Sequence, residues 1–324
     1  MSAARSGRFF TFVVAGAVLL ACRSGAEAGA GASSASASSA SASSASATAS
    51  AAPLGAISSA GVTAPSAALA SGAAAPPASP VRGDPGDACP ADMRLVEGSY
   101  CPVASQKCLA WNEVNVAGHV ERNQCKKYEA PSICQSKTRQ PMRFCMDAYE
   151  WPNKKGEIPR DLTSWQEAKD ICEGIGKRLC SDVEFTFACE GDDMWPHVTG
   201  FERDPSKCSY DRPYRLRTFN FFKHDACLAD EKCKAALEAI DQRLPAGSMP
   251  ACVSRDGVWD LNGNINEWIE LPGRGLSKRA GLKGGWWGPV RDRCRPMTTF
   301  HGESDYGYEV GFRCCKDAAP KRGG

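Results

Sequence analysis

The chain has 324 residues, of which 43% are hydrophobic and 23% are charged, and its formal net charge at pH 7 is +2. A net charge this close to zero gives no reason to expect nucleic acid or an acidic membrane surface as a partner. No stretch after residue 21 is apolar enough to cross a bilayer. The composition therefore disfavours a nucleic-acid-binding protein and a membrane-spanning domain.

Residues 1–21 have the pattern of a secretory signal peptide. Arg5 and Arg8 precede an apolar run, Phe9–Leu20, that is too short to span a bilayer but suits the core of an export signal. The following Leu-Leu-Ala-Cys resembles the lipobox of bacterial lipoproteins, which implies cleavage before Cys22 and acylation of Cys22. The alternative is an ordinary signal peptide with an incidental cysteine. A lipidated Cys22 would anchor the chain in the bacterial cell envelope, facing the periplasm or the cell surface.

Residues 22–82 are predicted to form a disordered tether. The part from Ala28 to Val81 contains no charged residue and consists almost entirely of Ala, Ser, Gly and Pro. Such a segment cannot bury enough side-chain surface to offset the entropy lost on ordering. The remaining residues, 83–324, are predicted to form one domain.

The number of cysteines is a further informative feature of the sequence. The chain has 17, and setting Cys22 aside leaves an even number, all between Cys89 and Cys315. In an exported chain this predicts a framework of up to eight disulfides, some of which would cross-link the N-terminal third of the domain. No Cys-x-x-Cys pair supports a zinc site.

Three helices are predicted in the middle of the chain. The first begins after Ser164 and ends at Gly176, and the second begins at Ser181 and ends at Gly191. Each has a Ser-x-x-Glu capping box at its start. Apolar residues with helical spacing predict the third helix over Asp230–Asp241.

From Trp259 onward, glycines and tryptophans alternate with short apolar runs, which predicts short strands and wrapped loops rather than a βαβ series. The predicted class is an irregular, loop-rich α+β domain stabilised by disulfides.

Seven motifs, in a fixed order, carry a resemblance to one family. They are Met93–Gly98, Phe144–Glu150, Gly176–Phe185, Trp195-Pro196, Gly263–Trp268, Lys283–Gly285 and Gly311–Cys314. Residues from about 89 to 318 resemble the formylglycine-generating enzyme, or sulfatase-modifying-factor, domain. The resemblance implies a variant of the C-type lectin fold.

The same resemblance identifies a difference in the reactive site. In the oxidase members, two cysteines five positions apart after the Lys-Gly-Gly step hold copper, activate oxygen and oxidise a substrate cysteine within Cys-x-Pro-x-Arg to formylglycine. Those positions fall here on Pro289 and Cys294, and Trp286 stands where those enzymes have serine. One thiolate cannot form the two-sulfur site that favours monovalent copper. The sequence therefore disfavours copper and an active formylglycine-generating oxidase.

Cys294 has two interpretations. As a catalytic residue it would be a lone reactive thiol whose pKa is lowered by Arg291 and its other arginine neighbours. As a structural residue it would form a disulfide. The resemblance implies a bridge between Cys172 and Cys314, and a partner for Cys189 in the region of Cys294.

The resemblance also implies a structural calcium site. The ligands would be Asp260 and Glu267 through their carboxylates, and Gly263 and Ile265 through their carbonyls. The alternative is that the three asparagines of this segment only build a turn through side-chain-to-backbone hydrogen bonds.

Two functions remain. The first is a non-catalytic, exported, lipid-anchored domain that binds a peptide, a glycan or an envelope protein through a rim of Trp286, Trp287 and Arg291. Core packing is the alternative for the two tryptophans. The second is an oxidoreductase, a formylglycine-generating-like or other metal-dependent oxidase, built on Cys294, and it requires that Cys294 be free.

Overall fold

The computed structural model describes residues 88–116 and 119–321, without the side chains of residues 112–123. The predicted signal peptide, Cys22 and the predicted tether lie outside the described residues. The strands are β1 (Met93–Tyr100), β2 (Ala104–Ser105), β3 (Cys108–Val116), β4 (His119–Tyr128), β5 (Ile133–Cys134), β6 (Gln140–Asp147), β7 (Arg178–Leu179), β8 (Asn266–Glu270), β9 (Ala280–Lys283), β10 (Val310–Phe312) and β11 (Cys314–Asp317). The helices are α1 (Trp165–Gly174), α2 (Asp182–Glu190), α3 (His224–Ala229) and α4 (Glu231–Glu238).

Two sheets organise the domain. The larger has four strands in the order β1-β6-β11-β7, and all its pairs are antiparallel. The second has the order β10-β8-β9, with β10 parallel and β9 antiparallel to β8. Since β10 and β11 are separated only by Arg313, this short C-terminal segment joins both sheets.

The N-terminal third is closed by nested disulfides. Cys89 pairs with Cys145, Cys101 with Cys134, and Cys108 with Cys125. Each bridge lies inside the previous one along the chain. The innermost bridge ties β3 to β4, and the outermost ties the segment before β1 to β6.

The two capping boxes predicted from sequence are confirmed. At α1 the Ser164 backbone N–H donates to Glu167 Oε2 (3.0 Å), and the Glu167 N–H donates to Ser164 Oγ (3.3 Å). Ser181 and Glu184 make the same reciprocal bonds at α2 (2.8 and 3.2 Å). These bonds satisfy backbone donors that a helix start leaves unpaired.

The predicted third helix is present but shorter. Asp230 caps α4 by accepting from the Cys233 N–H (2.8 Å), and the helix ends at Glu238 rather than at Asp241. A disulfide between Cys227 and Cys233 joins α3 to α4. Both cysteines are buried in a cluster with Trp286 and Trp287, so this helix pair contributes to the core.

The described residues form a mixed α+β domain with eight disulfides, as the cysteine pattern predicts. A framework of this density belongs to an oxidising compartment, which indicates an exported domain. Within residues 88–116 and 119–321, no helix has the length and apolar character needed to cross a bilayer.

Candidate functional site

The segment from Lys283 to Cys294 turns sharply at two glycines. Gly284 and Gly285 have φ values of +83° and +84°, which favour glycine. A Cβ on Gly285 would lie 1.8 Å from Asp292 Oδ1. The loop after the double glycine therefore folds back directly onto the turn, with the carboxylate of Asp292 against the Gly285 backbone.

Buried ion pairs hold this returning loop in place. Arg203 Nη2 lies 2.6 Å from Asp292 Oδ2 and 2.6 Å from Asp211 Oδ1. Gln124 Nε2 donates to the Pro289 carbonyl (2.7 Å). Burial raises the pKa of Asp292 to about 7, while the Arg203 guanidinium opposes that rise. The loop is thus fixed at both its beginning and its end.

Cys294 is not a free thiol. Its sulfur is bonded to Cys189 (S–S 2.02 Å), its side chain is fully buried, and its N–H donates to the Pro196 carbonyl (2.9 Å). The interpretation of Cys294 as a lone catalytic thiolate is therefore wrong for this structure, because a disulfide sulfur is neither a nucleophile nor a copper ligand. Cys172 and Cys314 are also brought together in a disulfide (1.98 Å).

The space beside the loop is nearly filled. A cavity of about 10 Å³ lies between the Lys283–Gly285 turn and the loop residues Val290, Arg291 and Met297. This volume is about the minimum that admits one water molecule. Lys283 is buried here, its Nζ donates to the Arg295 carbonyl (2.9 Å), and burial lowers its pKa to about 7. The pocket cannot admit a peptide cysteine in this conformation.

The predicted binding rim is not formed by the tryptophans. Trp287 is 0% exposed and Trp286 is 8% exposed, and their rings meet at 5.0 Å between centroids. Trp286 also packs edge-on against Tyr214 (4.9 Å) and Tyr308 (5.9 Å). These aromatic contacts bury both tryptophans beneath the surface, so their assignment to a rim is a misprediction. Arg291 is exposed.

A buried acidic cluster occupies the region predicted to bind calcium. Both carboxylate oxygens of Glu267 accept from Arg313, at 2.6 Å from Nε and 2.7 Å from Nη2. Asp260 Oδ2 accepts from the Gly247 N–H (2.6 Å). The Gly263 carbonyl accepts from the Ile265 N–H (2.8 Å). The carboxylates of Asp260 and Glu267 are close enough to interact electrostatically, but the guanidinium of Arg313 already supplies a positive charge to Glu267.

Glu150 belongs to the same cluster and was not predicted from sequence. It is fully buried, its Oε2 accepts from Asn264 Nδ2 (2.9 Å), and its Oε1 has no hydrogen-bond partner. Burial raises its pKa well above the ordinary value, and the carboxylates of Asp260 and Glu267 raise it further. Burial therefore disfavours a charge on Glu150, whereas Glu267, whose pKa is also raised by burial, is paired with the Arg313 guanidinium, which opposes that rise.

The alternative to a calcium site is a turn built by hydrogen bonds from asparagine side chains to the backbone. Asparagines of this segment do make such bonds, but with backbone groups distant in the sequence. Asn262 Oδ1 accepts from the Val198 N–H (2.7 Å), and Asn264 Oδ1 accepts from the Leu244 N–H (2.8 Å). Across the described residues, no group of three or more His, Cys, Asp or Glu side chains is arranged to hold a metal ion. The calcium site, with two carboxylates and two carbonyls as its ligands, stays a prediction.

Asp260→Asn is expected to stabilise the domain at pH 7. Burial raises the pKa of Asp260 from 3.8 to about 6, so between these pH values the folded state binds more protons than the unfolded state. Stability therefore falls as pH rises through this window. The substituted asparagine does not ionise, so the free energy of unfolding of Asp260→Asn should exceed that of wild type by about 2–3 kcal/mol at pH 7 and by little at pH 4. Asparagine also tolerates the φ of +59° at this position.

Urea unfolding of Asp260→Asn and wild type at pH 4 and pH 7 measures this effect. Asp170→Asn, which changes an exposed carboxylate on α1, is the control and should show no such pH-dependent gain. A variant that is less stable than wild type at pH 7 would show that the Asp260 charge is needed in the fold.

Comparison with known protein families finds a match over the part of the chain that carries this site. A family model described as a sulfatase-modifying factor enzyme 1-like domain matches residues 119–318. Among solved structures, the chain is similar to PvdO from Pseudomonas aeruginosa at 15% identity, covering 69% of this chain and 94% of that one, with a TM-score of 0.41. It is similar to CarF at 12% identity, covering 69% and 98%, with a TM-score of 0.40. It is similar to Treponema denticola variable protein 1 at 11% identity, covering 68% and 99%, with a TM-score of 0.34. The family match spans both the Lys283–Cys294 segment and the acidic cluster.

Proposed function

Because this chain belongs to the sulfatase-modifying factor enzyme 1-like domain family, we propose that it is an exported binding domain that keeps the family scaffold without the family's oxidase chemistry. Its partner would be a peptide, a glycan or an envelope protein. Lipidation at Cys22 would hold it at the membrane surface, on a tether formed by residues 22–82. The scaffold would be a loop-rich variant of the C-type lectin fold, an inference that rests on family membership.

The disulfide between Cys189 and Cys294 is the observation that carries this proposal. Copper-dependent oxidation in the family needs two thiolates, and here Pro289 replaces one while a disulfide removes the other. The residues present therefore do not fit a copper ion. The oxidoreductase alternative is not favoured, because Cys294 was its only candidate residue.

The filled pocket supports the same proposal independently of the sulfur chemistry. The cavity of about 10 Å³ beside the Lys283–Gly285 turn holds at most one water molecule, which is too small for a side chain of a substrate peptide. Trp286 closes the region where the oxidase members have serine, and it is anchored by its ring contacts. Binding to a partner would therefore use another surface of the domain.

We also propose a structural calcium ion, which would be bound by Asp260, Gly263, Ile265 and Glu267. Its support is the family resemblance and the electrostatic interaction between the carboxylates of Asp260 and Glu267. Binding would require Arg313 to release Glu267, because the guanidinium contacts both carboxylate oxygens. The binding function does not depend on this ion.

The state of Cys294 is tested by peptide mapping without reduction, after alkylation in denaturant. We expect a peptide pair that joins Cys189 to Cys294 and no alkylation of Cys294. The matched variant Cys189→Ala removes the partner and should make Cys294 available to the reagent. In parallel, protein incubated with Cu(I) and air should form no aldehyde on a synthetic Cys-x-Pro-x-Arg peptide. A freely alkylated Cys294 in the wild type, or aldehyde formation, would restore the oxidase alternative.

A further inference from the structure

A cleft of about 540 Å³ opens on the surface, and it shares no lining residue with the filled pocket. Its lining includes Ser132, Arg139, Asp192, Asp193, Trp195 and Phe201. These residues come from the segment before β5, the position just before β6 and the segment that follows α2. The volume lies within the range of sites that hold small organic ligands.

The walls of this cleft are held by hydrogen bonds between distant segments. The Met194 carbonyl accepts from Ser132 Oγ (2.8 Å) and from Gln106 Nε2 (2.9 Å). Arg139 Nη1 donates to the Asp192 carbonyl (2.8 Å) and to the Ser99 carbonyl (3.0 Å). These bonds fix the shape of the cleft before any ligand arrives, which lowers the entropic cost of binding.

Two half-buried aromatic rings lie in the cleft. The guanidinium of Arg255 lies 4.0 Å from the centre of the Trp195 ring, and Arg255 is itself ion-paired with Asp193. This arrangement fixes the orientation of the indole. Phe201 is held through its backbone, since its carbonyl accepts from the Tyr128 N–H (2.9 Å). The cleft therefore presents fixed aromatic surface beside polar side chains.

The charges around the cleft are balanced. Asp192 Oδ1 accepts from the Ser99 N–H (2.7 Å), Asp193 pairs with Arg255, and Arg139 donates to two carbonyls. Two carboxylates and two guanidinium groups thus leave no net charge to attract a strongly acidic or basic ligand. Arg139 is exposed, so its remaining N–H groups are accessible to a ligand hydroxyl.

We propose that this cleft binds a neutral saccharide. A sugar ring has one face of C–H groups, which packs on an aromatic side chain, and an edge of hydroxyl groups, which hydrogen-bond to carboxylate and guanidinium groups. Trp195 and Phe201 would supply the first kind of contact, and Arg139 and Asp192 the second. The inference rests on the proposed binding function and names the ligand class and its site.

The test is an array of immobilised neutral and anionic oligosaccharides, probed with the exported full-length chain and with variants. We expect binding to one or more neutral glycans, and a loss of affinity of at least about ten-fold for Trp195→Leu, which corresponds to about 1.4 kcal/mol of contact. Phe201→Leu should weaken the same glycans, and it provides a second variant if Trp195→Leu misfolds. Trp111→Leu is the control, because Trp111 is 58% exposed and lies outside the cleft.

The other outcomes distinguish failure of the proposed saccharide site from failure of the proposed binding function. Binding of neutral glycans that is unchanged in both cleft variants would overturn the site but keep the binding function. Binding only to anionic glycans, or to peptides in a separate peptide array, would overturn the ligand class. The absence of binding to every glycan and peptide would count against the binding function itself.

Discussion

Replacement of Arg313 by methionine is expected to destabilise the folded domain by about 3–5 kcal/mol at pH 7, the usual cost of removing one partner from a buried ion pair. Arg313 is 1% exposed, and its guanidinium contacts both oxygens of Glu267. Without it, Glu267 would be buried next to Asp260 and Glu150 with no counter-charge. Urea unfolding at pH 7 measures the loss.

Two controls separate the lost charge pair from lost packing. In the double variant Arg313→Met/Glu267→Gln no buried charge is left unpaired, so the double variant should be more stable than Arg313→Met alone. Arg279→Met breaks a similar two-bond pair with Glu303, whose side chains are 26% and 16% exposed, and should cost less. The deficit of Arg313→Met should also shrink at acid pH, where Glu267 can take up a proton. A small loss at pH 7 would mean that Glu267 is already neutral in the native protein.

Gly263→Ala is expected to cost about 3 kcal/mol or more, because two penalties combine. The φ of +82° at this position strains any residue with a Cβ, at about 1–3 kcal/mol. The added Cβ would also lie 2.2 Å from the carbonyl oxygen of Ser209, so the two backbones must move apart, at a further cost of about 1–3 kcal/mol. The Asn264 N–H donates to this same carbonyl (2.8 Å), so that bond would be disturbed as well.

Gly273→Ala is the matched control for this prediction. Gly273 has a similar φ of +76°, but an added Cβ would meet nothing within 4 Å. Its substitution should therefore cost only the backbone strain, about 1–3 kcal/mol. Thermal and urea unfolding of both variants gives the difference, which measures the close approach of the Gly263 loop to Ser209. Equal losses in the two variants would show that this approach relaxes at little cost.

Features specified by neighbouring residues were predictable from sequence. The starts of α1 and α2 follow from Ser and Glu three positions apart, because a capping box is satisfied within a single turn. The disulfide-rich character follows from the number of cysteines in an exported chain. The pairing of Cys172 with Cys314 came only from the family resemblance, because cysteine spacing does not determine connectivity.

Features that depend on distant partners were not predictable. Glu267 and Arg313 were each part of a recognised motif, but their ion pair depends on the parallel pairing of β10 with β8. Trp286 and Trp287 were candidates for a rim because the sequence does not show that Tyr214 and Tyr308 cover them. Glu150 is the last residue of a recognised motif, but its place in the acidic cluster could not be predicted, since its partner Asn264 lies 114 residues further along the chain.

The nested order of the N-terminal disulfides makes this third of the domain tolerant of backbone cleavage. A cut between Cys108 and Cys125 would fall inside all three loops, so the bridges Cys89–Cys145, Cys101–Cys134 and Cys108–Cys125 would each still join the two fragments. A protein that is exported encounters proteases outside the cell's quality control. For this chain, a single nick in the β3–β4 hairpin would open the backbone without releasing either piece.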